Sequence, residues 1–420
     1  MNGKIASALA AIFFVATAGT AAAQTRDQLW DRCQLYTPDG KARPGTGPDL
    51  AIGACTQLIQ SGRESNSNLS AAFNNRGTAH NNKQEYDLAI ADFNQAIALN
   101  TNDAQAYYNR GIAYDHKNQL DLAIDSYNAA ITHNPNYYQA YNNRGYKYEL
   151  KHDYQRALAD YSQAISHNAN YERAILNRAS LYVLMKQYAA GISDYTRAIA
   201  LNAAATTYND RGNAYFHNGD YTRALSDFSQ AIDRDHNYRR AVENRAITYN
   251  TMKQYDKAIA DYNRAIALSA NVASTFSNRA MTYERMKKYD RAAEDYTLAI
   301  KLEPKNAAYY NDRCWARALG NQLGGALADC SESLRLRPND ADTLDSRGLV
   351  NLKLKKYAAA IADYDAALKA NDKLTTSLYG RGVAKLAKGD KTGGAADIAA
   401  AEKRSSTIAK TFAGYGVAMP

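Results

Sequence analysis

After its first two dozen residues the chain has no apolar run approaching the roughly 20 residues that a membrane-crossing helix needs. It is poor in metal-ligating and redox side chains, with four cysteines and seven histidines in 420 residues. The histidines (His80, His116, His133, His152, His167, His217 and His236) never pair at ligand spacing, and there is no Cys-x-x-Cys. This excludes the common zinc frameworks. Also missing are a Gly-x-Ser-x-Gly elbow, a phosphate-binding glycine loop and a His-Glu-x-x-His helix. No cofactor and no catalytic centre are expected. The formal charge is +9, mild for this length and without the dense basic stripe that nucleic-acid binding would call for. Solvated outer helix faces account for it, and an acidic partner remains compatible with it.

The first residues have the layout of an export leader. Lys4 precedes an apolar run from Ile5 to about Gly19, followed by the small-residue site Ala21-Ala22-Ala23-Gln24. The run is too short to span a bilayer and reads as a cleaved signal peptide, residues 1–23. No cysteine follows the site, which argues against a lipid anchor. The expected location is periplasmic or secreted.

What fills the rest is repetition. An Asn-Arg-Gly phrase or a variant recurs ten times, ending at Gly77, Gly111, Gly145, Ala179, Gly212, Ala246, Ala280, Cys314, Gly348 and Gly382. Every step is 34 residues except one of 33. Such a period marks stacked helical hairpins, each too small to bury its own apolar face. With the phrase-ending residue at position 8, the second repeat runs from Ala104 to Tyr137. Tyr107, Tyr114 and Tyr127 then stand at positions 4, 11 and 24, Gly111, Ala123 and Ala130 at 8, 20 and 27, and Pro135 at 32. Positions 4, 8 and 11 share one face of a first helix, and 20, 24 and 27 one face of a second. This pattern resembles the tetratricopeptide repeat over ten units spanning 70–404. The resemblance implies an all-α, right-handed superhelical solenoid of antiparallel helix pairs, winding past one turn around a concave groove.

The cysteines fit the same frame. Cys314 and Cys330 occupy positions 8 and 24 of the eighth repeat, which face each other across the helix pair, so a bridge is geometrically reasonable. Leu29 to Cys33 and Ala51 to Cys55 align with the segments ending at Cys314 and Cys330. Residues 24–69 are therefore expected to form a degenerate capping hairpin, interrupted by a Gly/Pro-rich loop and stapled by Cys33–Cys55. Buried free thiols are the alternative. Residues 405–420 are expected to form a last capping helix and tail.

Position 7 is arginine in all ten repeats, Arg110 and Arg144 among them, and position 23 is aspartate in nine, including Asp160 and Asp194. A matched acid and base at fixed spacing predict a structural ladder of forked ion pairs, within or between repeats. Position 6 is asparagine at Asn75, Asn109, Asn143, Asn177, Asn244 and Asn278. In tetratricopeptide proteins this position faces the groove, and some members clamp peptide backbone with an asparagine ladder there. The resemblance thus implies peptide contact by these asparagines, with Tyr108, Tyr146 and Leu176 as side-chain contacts. The alternative is that they bond only to a neighbouring helix. The Lys and Asn positions of the chaperone-binding carboxylate clamp are not matched.

The resulting expectation is a non-catalytic scaffold that holds an extended peptide or partner helix in the bacterial envelope. A second copy of the chain is a further candidate partner. The alternative class is an accessory factor of an envelope enzyme, polysaccharide or secretion complex.

Overall fold

A computed structural model describes residues 24–36 and 41–420; the expected leader lies outside the described residues. Among the described residues there are 23 helices, and the only β feature is an isolated bridge between Tyr36 and Ala42. Successive helices pack as antiparallel pairs, giving a solenoid of the expected class. The chain divides into two units, Met1–Asn177 and Arg178–Pro420.

The second repeat shows how the sequence builds a pair. Asp103 caps the first helix, Ala104–His116, its carboxylate accepting from the amides of Gln105 and Ala106. The chain reverses through Asn118, at φ 56°, and re-enters a helix over Leu120–His133. The same turn position, 15 in the repeat frame, is left-handed in all ten repeats, yet only Gly219 and Gly389 are glycine there. Lys186, Lys253, Lys287 and Lys355 hold it at φ 59–60° or close to it, a conformation with a steric cost for side-chain-bearing residues.

Close approach within a pair depends on positions 8 and 24. Phe93, Tyr127, Tyr161, Phe228, Tyr262, Tyr296 and Tyr364 are essentially fully buried at position 24. Each such side chain contributes about 1.5–3 kcal/mol through burial. A Cβ added to Gly111 would lie 2.6 Å from Tyr127 Cε1, so the ring rests directly on the glycine. The eighth repeat replaces this glycine–aromatic contact by a disulfide, Cys314–Cys330, with Cα atoms 5.4 Å apart. A second disulfide, Cys33–Cys55, joins the helices Arg26–Cys33 and Pro48–Gln60 at the equivalent positions. Arg26 also forks onto Glu64 at 2.7 and 2.8 Å, tying this hairpin to the start of the first repeat. The guanidinium holds the Glu64 carboxyl below its ordinary range.

Candidate functional site

The position-7 arginines all point into the helix pairs. In nine repeats the guanidinium grips the position-23 aspartate of its own repeat, as in Arg144, whose Nε and Nη2 lie 2.8 and 2.6 Å from Asp160. Arg178 holds Asp194 in the same way. The remaining nitrogen often reaches back to position 25 of the preceding repeat: Arg144 Nη1 donates to Asn128 at 2.7 Å, Arg279 to Asn263 and Arg313 to Thr297. Where it does so, one arginine fastens both its own pair and the joint to the previous one. Arg110 lacks the aspartate; its Nε meets Ser126 Oγ at 3.2 Å and its Nη1 meets Asn94. Burial is strong enough to keep the Asp160 and Asp295 carboxyls above their ordinary range despite the arginines. Burial pushes Asp397 upward too, but Arg381 and Lys385 together outweigh it and hold the carboxyl low.

The position-6 asparagines are half-buried, and four of them bond to the preceding repeat. Asn109 Nδ2 donates to Asn74 Oδ1 at 3.0 Å, Asn143 Nδ2 to the Tyr108 hydroxyl at 3.2 Å, and Asn177 Nδ2 to Asn142 Oδ1 at 2.9 Å. Asn244 repeats the bond to Asn209 at 2.9 Å. In each case the acceptor is position 5 of the preceding repeat. Asn75, which follows the stapled hairpin, lies 3.9 Å from Cys33 Sγ instead. Asn278 is half-buried, and its backbone carbonyl accepts from Thr282. An amide has two donors and two acceptor lone pairs, so one inter-repeat bond does not exhaust it. The sequence signal for the partner residue was the doublet Asn74-Asn75, repeated at Asn142-Asn143, which places an acceptor beside each donor.

Within the first unit these residues line two adjoining depressions. One, of about 890 Å³, is bounded by Leu35 and Tyr36 at one end and by Asn75, Tyr108 and Asn109. The other, of about 450 Å³, gathers Tyr108, Asn143, Tyr146, Arg173 and Asn177. Tyr108 borders both. Burial pushes its hydroxyl up to about 12, so it stays protonated and can donate. Tyr146 is 45% exposed and is the most accessible aromatic of the pair. Lys147 is buried beneath it and paired with Asp115, a charge on the floor that the sequence pattern gave no reason to expect. Leu176 is half-buried and is not part of either lining. The register positions that form this face are thus 2, 5, 6, 9, 10 and 12. The surface offers amides, hydroxyls and aromatic rings in alternation, which suits hydrogen bonding to an extended backbone with shallow side-chain contacts.

No group of His, Cys, Asp or Glu suited to hold a metal occurs among the described residues. His133 and His167, which share position 30, are exposed and stack on Tyr107 and Tyr141 with centroids 5.3 and 5.5 Å apart.

Comparison with protein families agrees with the repeat frame. Tetratricopeptide-repeat models match residues 104–137 and 273–306, 203–271, 172–204 and 346–407, and a TPR-repeat model matches 77–115. No curated protein matches the chain. Among solved structures, a tetratricopeptide repeat protein from Parabacteroides merdae is 22% identical, covering 59% of this chain and 98% of its own, with a TM-score of 0.46. The C-terminal part of a TPR protein from Cytophaga hutchinsonii is 17% identical, covering 56% and 97%, with a TM-score of 0.48. YrrB, described as a TPR protein with an unusual peptide-binding site, is 18% identical, covering 44% and 97%, with a TM-score of 0.40. With its helix pairs and its matches along most of the repeat region, the chain belongs to the tetratricopeptide-repeat family.

Proposed function

We propose that this protein is a non-catalytic interaction scaffold of the bacterial cell envelope, binding an extended peptide or a partner helix along the inner face of its first four repeats. The observation that carries the reading is the pair of depressions sharing Tyr108, one of which collects Asn75 and Asn109 and the other Asn143, Tyr146 and Asn177. The asparagines hold adjacent first helices in register and present their remaining capacity to backbone, while Tyr108 and Tyr146 supply side-chain contact. The stapled hairpin closes the N-terminal end of the stack, shielding an apolar face that a terminal repeat would otherwise expose. An exported, oxidising location is supported by the two disulfides. Among the described residues no helix is long and apolar enough to cross a membrane.

The test is recovery of partners from envelope extract by the wild type, by Tyr146→Ala, and by a variant with Asn75, Asn109, Asn143 and Asn177 all changed to Ala. Tyr146→Ala isolates the surface contact, since the exposed ring carries little of the fold. Loss of the same partner from both variants is expected; equal recovery of every partner by all three proteins would remove the groove reading.

A further inference from the structure

The last residues of the chain lie on the face that, in the first unit, forms the depressions. The helix Ile408–Gly414 packs against the first helix of the tenth repeat, Thr375–Lys388, with Ile408 and Phe412 buried. In the repeat frame Phe412 stands at position 4 and Gly416 at position 8 of an unfinished eleventh unit. The helix stops there. Gly416 adopts φ 78°, and the chain turns to run over earlier repeats.

Its contacts are specific in register. Tyr415 meets Trp315 edge-on, centroids 5.0 Å apart, although the two are 100 residues apart in sequence. Val417 packs into the cluster formed by Leu349, Leu352, Tyr379 and Val383. The Tyr379 hydroxyl lies 3.3 Å from Met419 Sδ. Trp315, Leu349 and Val383 are position 9 of the eighth, ninth and tenth repeats, Leu352 is position 12 and Tyr379 position 5. These are the positions that face the groove in the first unit. There they are Thr78, Ile112 and Tyr146 at position 9, Asp115 at 12 and Asn74, Tyr108 and Asn142 at 5; here the residues at these positions that meet the tail carry neither an amide nor a charge. The tail is a poor filler, however. Gly416, Ala418 and Pro420 leave a cavity of about 270 Å³ beside it, walled by Leu352, Tyr357, Val383 and Ala387 and by the stems of Lys353 and Lys355.

We propose that the inner face of repeats eight to ten is a second peptide-binding site, selective for an extended segment with an aromatic residue followed two positions later by an aliphatic one, and that residues 415–420 occupy it as a displaceable intramolecular ligand. Tyr415 and Val417 supply that spacing in cis, and the linkage makes their effective concentration high. An outside segment with the same aromatic anchor but bulkier residues than Gly416 and Ala418 fills the remaining cavity and replaces the tail. The proposal is independent of the asparagine face, because none of its residues lies in the first unit.

The experiment uses a fluorescein-labelled peptide of residues 413–420, read by anisotropy. It is titrated with four proteins starting at Gln24: the chain to Pro420, the chain ended at Gly414, that shortened chain carrying Trp315→Ala, and the chain to Pro420 carrying Tyr415→Ala. The shortened chain is expected to bind the peptide, the chain to Pro420 about tenfold more weakly, and Trp315→Ala to abolish most of the gain. Tyr415→Ala loosens the tail without removing the helix before it, so it is expected to bind the peptide more tightly than the unaltered chain. Circular dichroism checks that each protein keeps its helices. Either of two results overturns the proposal: a folded Tyr415→Ala protein that takes up no more peptide than the unaltered chain, or peptide binding that is indifferent to Trp315→Ala.

Discussion

Asn177 donates its side-chain amide to the Oδ1 of Asn142 across 2.9 Å, linking the first helices of two successive repeats. The same bond joins Asn244 to Asn209. Position 6 therefore ties successive first helices in register, and in the proposed function what is left of each amide is offered to a ligand. Asn142 is almost fully buried. Its replacement by Leu leaves the Asn177 donor unpaired and is expected to cost about 1–3 kcal/mol of stability, read by urea denaturation. Tyr146→Ala should cost far less than Asn142→Leu in the same assay and still lose partner binding. Equal stability losses would mean that the two residues do not divide the work in this way.

The arginine ladder makes a sharper stability claim. Arg279→Ala leaves the buried Asp295 carboxylate without its fork and frees Asn263, so a loss of about 3–5 kcal/mol is expected. Arg279→Lys restores the charge but not the paired geometry and should recover only part of it. Arg110→Lys should be milder than Arg279→Lys, because Arg110 faces Ser126 rather than a carboxylate.

Both disulfides stand where other repeats pack an aromatic ring on a small residue. Removing Cys314–Cys330 as a double Ala variant deletes the cross-link and the filling of that space together. A loss of about 3 kcal/mol is expected for a loop of this length, with the tail contacts of the same repeat loosened. Mass spectrometry after alkylation without reductant should find no free thiol in the folded protein.

Glu284 supplies a pH dependence. It lies in the first helix of the seventh repeat with Oε1 buried and unpaired. Burial, reinforced by the nearby Asp312, raises its carboxyl from an ordinary 4.5 to about 8. Burial raises Asp312 to about 6. In both cases the folded state holds its proton more tightly than the unfolded chain, so stability is highest at low pH in this window and falls as pH rises from about 4.5 towards 8. Glu284→Gln should flatten that slope and stabilise the protein at pH 8 by on the order of 2 kcal/mol. Thermal melts between pH 5 and 9 give the answer; a slope unchanged by the substitution would contradict it.

Much of this architecture is legible in the sequence because the repeat supplies its own alignment. A glycine or alanine at position 8 opposite a phenylalanine or tyrosine at 24, seen in eight of the ten repeats, identifies the pair even where Cys314 and Cys330 replace both. The constant Arg and Asp at 16 residues' separation give the ladder in the same way. What a repeat cannot reveal is what breaks it. The left-handed turn at position 15 hides because Gln84, Lys186 and Asn321 share no chemistry there. The acceptors at position 5 show only in part, through the doublets at Asn74 and Asn142, because Tyr108 interrupts the pattern with a different side chain. Gly380 stands where other repeats have asparagine because a Cβ there would lie 2.4 Å from Tyr364 Cζ. The return of the tail onto Trp315 is non-local and follows from no periodicity.

The most direct test of the inner-face account is site-specific photocrosslinking in intact cells, with a benzoylphenylalanine placed in turn at Tyr146, at Tyr108 and at Leu88, an exposed residue on a second helix. The account predicts a discrete adduct with the same partner from positions 146 and 108 and none from position 88. Adducts from position 88 alone, or the same adduct from all three positions, would contradict it.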